Sequence, residues 1–335
     1  MIKASDAVKL IDRHGQGPQL LSHCLLQFLQ GQHRNAESVS AIRDDTDPCG
    51  YWYYSLDTLE QLTDREYEHQ RRHPKNLRRN KIRQLAIYYR LYEEATDEAM
   101  EARKQRYFET EQEQFCQGME QVSILLTSKL RNCQMVQLDG WFDVRALGCL
   151  IRHAQQVAWL DVMLLSGTTS RHVRQNDWIS FSHALHGHPS LVQVWLTGFL
   201  FDDGDPDNAL GQALVSLPLL KNVRLMKQST TGNSLLIPQQ QHRTENNNNN
   251  GNNDQSPAVE PTPNNTAPCL LHPMTLQQLL RKPTLTEFVF EQLTLSAEQI
   301  DAIVYALSET SEQRASTLTL SQDILTITLE ELPKR

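Results

Sequence analysis

The sequence predicts an α/β fold: a helical N-terminal region leading into an irregular arc of strand–helix repeats, with parallel strands on the concave side and helices on the convex side. Three observations carry this expectation. The pattern apolar-x-x-apolar-x-apolar occurs six times between Cys133 and Leu320. Apolar stripes at helical spacing lie between successive copies. Three of those helical stretches stop at a proline, Pro189, Pro218 and Pro283, each followed two residues later by the leucine that opens the next strand.

From the N-terminus, residues 1–56 read as one helix and an irregular segment. Leu20, Leu21, Leu25, Leu26, Phe28 and Leu29 fall at near-helical spacing, and Gly31 is a natural stop. A turn cluster over 43–50 precedes Tyr51-Trp52-Tyr53-Tyr54, an aromatic quartet dense enough to cover a core edge. Residues 57–110 form a charged helical region. Arg71, Arg72, Lys75, Arg78, Arg79, Lys81 and Arg83 place seven basic residues in thirteen, the composition of a solvated helix start or of a nuclear-import run. Ile82, Leu85, Tyr88 or Tyr89, Tyr92, Ala95 and Ala99 then mark one face of a long helix. A second helix, from about Glu111 to Leu130, buries Phe115, Met119, Val122 and Leu126 and opens the repeat domain, 111–335.

The six expected strands are Cys133–Leu138, Val157–Val162, Leu191–Leu196, Leu220–Leu225, Leu285–Phe290 and Ala315–Leu320. Their last residues are spaced by 24, 34, 29, 65 and 30. The long interval has a visible cause. Residues 229–268 hold ten Asn and five Pro and no aromatic residue, so they cannot bury enough apolar surface to offset their ordering entropy and should be a disordered insertion. Removing its 40 residues leaves 25 and restores the period. The helical stripes are Val144, Leu147 and Leu150 or Ile151; Trp178, Phe181 and Leu185; Leu210, Leu214 and Leu217; Leu276, Leu279 and Leu280; and Ile300, Ile303, Val304 and Leu307, the last preceded by Ser296 and Gln299 at capping-box spacing.

This period unit resembles leucine-rich repeats of the ribonuclease-inhibitor type. With the helical N-terminal half, Phe115-Cys116-Gln117-Gly118-Met119 and the recurring "helix, Leu-Pro, Leu-x-x-Val-x-Leu", the stretch over roughly 115–330 is also similar to fungal F-box-associated repeat proteins. The chain departs from them in lacking the Leu-Pro-x-Glu opening of an F-box within residues 1–60. The resemblance implies a recognition module, of the kind that presents substrates to a ubiquitin ligase.

Side chains alternate faces along a strand, so the positions between the template residues should form the concave surface. These are Trp159, Asp161 and Met163, then Gln193, Trp195 and Thr197, then Asn222, Arg224 and Met226. Two tryptophans beside an arginine and two methionines have the composition of a protein-binding hot spot. Trp159, Asp161, Met163, Trp195, Arg224 and Met226 are therefore the candidate binding residues, with aromatic anchors and with Asp161 and Arg224 fixing orientation. A loop or the N-terminal helices folding over this surface would instead make the tryptophans core.

Other chemistry finds less support. A net charge of -8 argues against a surface that grips nucleic acid throughout, although a nuclear nucleic-acid-associated factor using 71–83 is the alternative reading. His183, His186 and His188 lack a nearby carboxylate or Cys, so no metal is expected. The acids of 202–207 lack the calcium-loop spacing and suit a solvated helix-capping turn. No phosphate loop, nucleophile elbow or zinc-protease pair is present, which points to a non-enzyme without a cofactor. Six scattered cysteines suit reduced, buried thiols, and neither a secretory leader nor an apolar run of membrane-spanning length is evident. The expected location is the cytoplasm, the nucleus or both, and the expected ligand a protein.

Overall fold

The computed structural model describes residues 9–12, 25–26, 39–43, 49–57, 83–92, 94–141, 143–164, 175–198, 208–227, 267–269, 271–321 and 323–332. One sheet of eleven strands runs through them. It opens with β1 (Lys9–Asp12), β2 (Val39–Arg43), β3 (Gly50–Asp57) and β4 (Gln84–Leu91). The repeat strands follow: β5 (Met135–Trp141), β6 (Trp159–Leu164), β7 (Gln193–Thr197), β8 (Asn222–Met226) and β10 (Glu287–Glu291). A hairpin of β12 (Arg314–Ser321) and β13 (Ile324–Glu331) closes the far edge. Two short strands, β9 (Ala267–Pro268) and β11 (Leu293–Thr294), pair apart from it.

The strand order is β1-β2-β3-β4-β5-β6-β7-β8-β10-β13-β12. From β4 to β10 every neighbour is parallel, so the structure is α/β with a mostly parallel sheet. Parallel neighbours need crossover connections, and helices supply them. They are α1 (Asp97–Arg106), α2 (Gln112–Lys129), α3 (Val144–Ile151), α4 (Gln175–Leu185), α5 (Ala209–Ser216), α6 (Pro273–Leu280) and α7 (Ala297–Thr310), with a π-helical turn at Tyr107–Glu111 between the first two. From α2 to α7 each helix packs on the next, forming one layer. No helix among the described residues is long and apolar enough to cross a membrane.

The core lies between this layer and one face of the sheet. Its floor is the template residues of the first five repeats: Cys133, Val136 and Leu138; Val157, Leu160 and Val162; Leu191, Val194 and Leu196; Leu220, Val223 and Leu225; Leu285, Phe288 and Phe290, all buried. Its roof is the expected helical stripes, from Leu147 and Leu150 through Trp178, Phe181, Leu210 and Leu214 to Leu276, Leu279, Ile303 and Leu307. Ser296 and Gln299 do form the capping box of α7. Each fully buried side chain of this size contributes about 1.5–3 kcal/mol, so repetition of the unit supplies the stability.

The structure corrects the reading in four places. Among the described residues up to Leu91, four strands join the sheet where the reading placed none, and Leu25 and Leu26, inside the expected first helix, are helical. The helix expected over Ile82–Ala99 is β4 followed by α1. In β4 the buried Leu85, Ile87 and Tyr89 recur at period two, and β3 pairs with it antiparallel, while Thr96 starts α1 by accepting from Ala99 N. In keeping with the expectation for the aromatic quartet, its Trp52 and Tyr54 are core; Trp52 packs on Tyr89, Phe115 and Trp141 at centroid distances of 4.8, 5.7 and 5.4 Å. The sixth strand is not a parallel repeat. It is β12, antiparallel to β13 at the sheet edge, and its Ala315, Leu318 and Leu320 are exposed. In α7, likewise, Ile300 and Val304 are exposed, with Ala302 and Ala306 buried beside Ile303 instead.

Residues 71–81 of the basic run, 165–174, 202–207 and 229–266 of the expected insertion lie outside the described residues; its last two positions, Ala267 and Pro268, form β9. Arg83 leads into β4, and its carbonyl accepts from Gln134 N and Met135 N.

Candidate binding face of the sheet

The face away from the helices is built by register. Three rows of side chains cross the parallel strands without stagger. The first is Gln84, Met135, Trp159, Gln193, Asn222 and Glu287; the second is Ala86, Gln137, Asp161, Trp195, Arg224 and Val289; the third is Tyr88, Asp139, Met163, Thr197, Met226 and Glu291. All six predicted residues are brought together here. In β6, β7 and β8 they alternate with fully buried positions and are themselves half-buried. Thr197 is buried, unlike its neighbours.

A β-bulge sets the upper end of β5. The register shifts between Asp139 and Trp141, and Gly140 takes a φ of +80° there. The extra residue turns Trp141 into the core while Asp139, itself buried, stays on the face away from the helices. A Cβ at Gly140 would lie 2.3 Å from the Tyr89 carbonyl oxygen, so both the backbone angle and the close approach require glycine.

Two aromatic rings form the centre. Trp159 and Trp195 meet edge to face at 4.9 Å between centroids, an arrangement worth about 0.5–1.5 kcal/mol beyond its area burial. Arg224 lies over Trp195, its Cζ 5.4 Å from the ring centroid, and pairs with Glu291 on the next strand through Nε at 3.0 Å and through its terminal amine. Arg224 is thus held rather than extended, and Glu291 neutralises much of its charge. The Trp159 Nε1 hydrogen is shielded from water and has no acceptor among the described residues.

Beside the tryptophans lie two carboxyls. Asp161 accepts no hydrogen bond among the described residues. Burial, then the charge of Asp139 one strand away, push its pKa up to about 6, while Arg224 pulls the other way. Gln137, in register with Asp161, is occupied by Gln84 Nε2 at 3.0 Å and by the Tyr88 hydroxyl at 3.4 Å. At the other end Asn222 donates to Glu287 at 3.4 Å and accepts from Thr286 Oγ1 at 3.0 Å. Chemically, the centre offers two half-buried indole faces and a carboxyl whose pKa is raised to about 6. Those groups can hold an apolar or cationic side chain.

Asp139, Gln137 and Glu291 were not foreseen. The signal was present: the alternation applied to Trp159, Trp195 and Arg224 extends unchanged to Met135, Gln137 and Asp139 on β5 and to Glu287, Val289 and Glu291 on β10. The bulge at Gly140 conceals it for β5, because it breaks the period after Asp139.

A second polar cluster lies under the helix layer. Asp143 caps α3, accepting from Arg145 N at 2.9 Å and Ala146 N at 3.2 Å. The Tyr107 hydroxyl donates to its other oxygen, and Gln112 Nε2 bridges it to Asp177 at 3.3 Å on each side. Burial and Asp177 raise the Asp143 pKa to about 6 against the pull of Tyr107 and the backbone donors. With its ligands all internal, this cluster is structural. His188 is buried and His183 and His186 are exposed; among the described residues no group of His, Cys, Asp or Glu is arranged to hold a metal ion. The five described cysteines are buried.

Neither a family model nor a curated protein matches the chain.

Proposed function

We propose that this chain is a non-enzymatic recognition protein, an irregular leucine-rich-repeat arc whose concave face binds a protein partner. One observation carries the reading. A parallel sheet is ordinarily covered on both faces, yet here the helices cover one, and the other presents half-buried Trp159, Asp161, Met163, Trp195, Arg224 and Met226 in alternation with core residues. Tryptophan, arginine and methionine are the residues enriched where protein surfaces meet. In this reading Trp159 and Trp195 are the anchors, Asp161 receives a cationic group, and Arg224, fixed by Glu291, stiffens Trp195. The similarity of the repeat unit to F-box-associated proteins supports a substrate-receptor role in ubiquitin transfer, with the receptor function on this face.

The test is capture of partners from the native cell with the wild type and with Trp159→Ala/Trp195→Ala, both first shown to be folded by circular dichroism. Loss of one discrete protein from the variant supports the reading. An unchanged set of partners contradicts it, as does a variant that unfolds, since the rings would then be core.

A further inference from the structure

We propose that β12 is a homodimerisation edge, at which a second copy of this chain extends the sheet. Its physical basis is independent of the recognition face. Every position of β12 after Arg314 is exposed, and Ala315–Ser321 contains no charge, proline or glycine, the devices that ordinarily keep edge strands apart.

The backbone has a defined outward set. Leu332 N donates to Gln313 O, and in an antiparallel ladder such pairs recur every second residue. Residues 315, 317, 319 and 321 therefore spend their backbone groups on β13, while those of Ser316, Leu318 and Leu320 point away from the sheet.

An apolar ledge adjoins that edge on the helix side. Leu318 is in register with the buried Ile327, and Leu320 with Leu325, so both leucines lie on the face that carries the helix layer. The layer stops at α7. Tyr305 and Glu309, one turn apart on α7, reach Arg281 of α6, the Arg281 Cζ sitting 5.3 Å from the tyrosine ring centroid. Ile300 and Val304, also one turn apart, lie on the opposite flank, toward the uncovered hairpin. Ile300, Val304, Leu318 and Leu320 are 48%, 58%, 54% and 76% exposed, an unusual grouping of aliphatic side chains beside an open edge.

A second copy fits this edge better than any unrelated strand. A two-fold axis perpendicular to the sheet keeps both helix layers on one side, so the two ledges become continuous. Centred on Leu318, it places Leu318 against its counterpart and Leu320 beside the small Ser316 of the other copy. About six backbone hydrogen bonds then form from the outward groups alone. The contact is self-complementary and closed, leaving no further strand to propagate, and the uncharged run spares it the like-charge repulsion that a net charge of -8 imposes elsewhere.

Sedimentation velocity of the full chain across a dilution series tests this. A species of twice 38.5 kDa that dissociates on dilution is expected. Leu318→Lys, which places a charge in the ledge, and Ser316→Pro, which removes an outward N–H that β13 does not use, should each yield folded monomer. A wild type that is monomeric up to its solubility limit overturns the proposal, as does a dimer that persists in both variants. If a variant fails to fold, hydrogen exchange of the wild type decides: amides of Ser316, Leu318 and Leu320 that slow with rising concentration support the edge contact, and amides that exchange fast at every concentration overturn it.

Discussion

Replacing Asp161 by Asn should stabilise the protein at neutral pH, and by a calculable amount. The Asp161 carboxyl is half-buried beside two indoles and one strand from Asp139, and its pKa stands at about 6 against an ordinary value of 3.8. At about 1.36 kcal/mol per pH unit, the ionised form costs the fold roughly 3 kcal/mol. The folded state holds this proton more tightly than the unfolded state, so the group favours folding below about pH 4, and that contribution is lost as pH rises through about 6. Asn mimics the neutral acid and does not titrate. Urea unfolding should therefore show Asp161→Asn more stable than the parent by up to about 3 kcal/mol at pH 7.5, with the difference vanishing toward pH 4. Asp143 titrates in the same range but equally in both proteins, so it drops out of the difference. A variant less stable than the parent at pH 7.5, or a difference that ignores pH, would refute the reasoning, because it would mean the carboxylate has a stabilising partner. A charge retained against stability is expected of a group whose partner arrives with the ligand.

Three further outcomes follow from buried groups. Tyr107→Phe removes the hydroxyl that donates to Asp143 and should cost about 1–3 kcal/mol in urea unfolding, the penalty of a buried acceptor left short of a donor. Lys104 is buried, its Nζ has no hydrogen-bond partner among the described residues, and burial lowers its pKa to about 8. Its charged form is disfavoured in the fold, so Lys104→Met should raise stability at pH 7 by about 2–3 kcal/mol and by progressively less between pH 8 and pH 10.5. Gly140→Ala should destabilise by about 1–3 kcal/mol or more and, by displacing Asp139 and Trp141 together, weaken partner capture; an Ala variant with wild-type stability would show the bulge to be dispensable.

Much of this architecture was legible from residue periodicity, and the exceptions have local causes. The helices from α4 to α7 are readable because each combines an apolar stripe with a proline stop or a capping box, two independent signals that agree; α2 and α3 are readable from the stripe alone. The first five repeat strands are readable because burial of Leu191, Val194 and Leu196 and their equivalents enforces one spacing. β4 was misread because Leu85, Tyr88 or Tyr89 and Tyr92 satisfy a helical period as well as Leu85, Ile87 and Tyr89 satisfy a strand period; long-range pairing with β3 and β5 decides between them, and pairing is not visible in a local window. β12 carries the repeat template but lies beyond the last described helix, and among the described residues no helix buries Leu318 and Leu320. At the candidate face, alternation places Trp159, Asp161, Trp195 and Arg224 correctly, whereas the Arg224–Glu291 pair depends on which strand becomes the neighbour of β8. The 65-residue interval between their repeats hides that adjacency.

Photocrosslinking bears most directly on the proposed recognition face. A photoreactive residue would be installed at Gln193, on β7 in register with Trp159 and two residues before Trp195, and as a control at Ile124, exposed on the helix side. A discrete protein adduct from Gln193 and none from Ile124 is the predicted result. An adduct from Ile124 alone, or equal labelling from both, would contradict the sheet face as the binding surface.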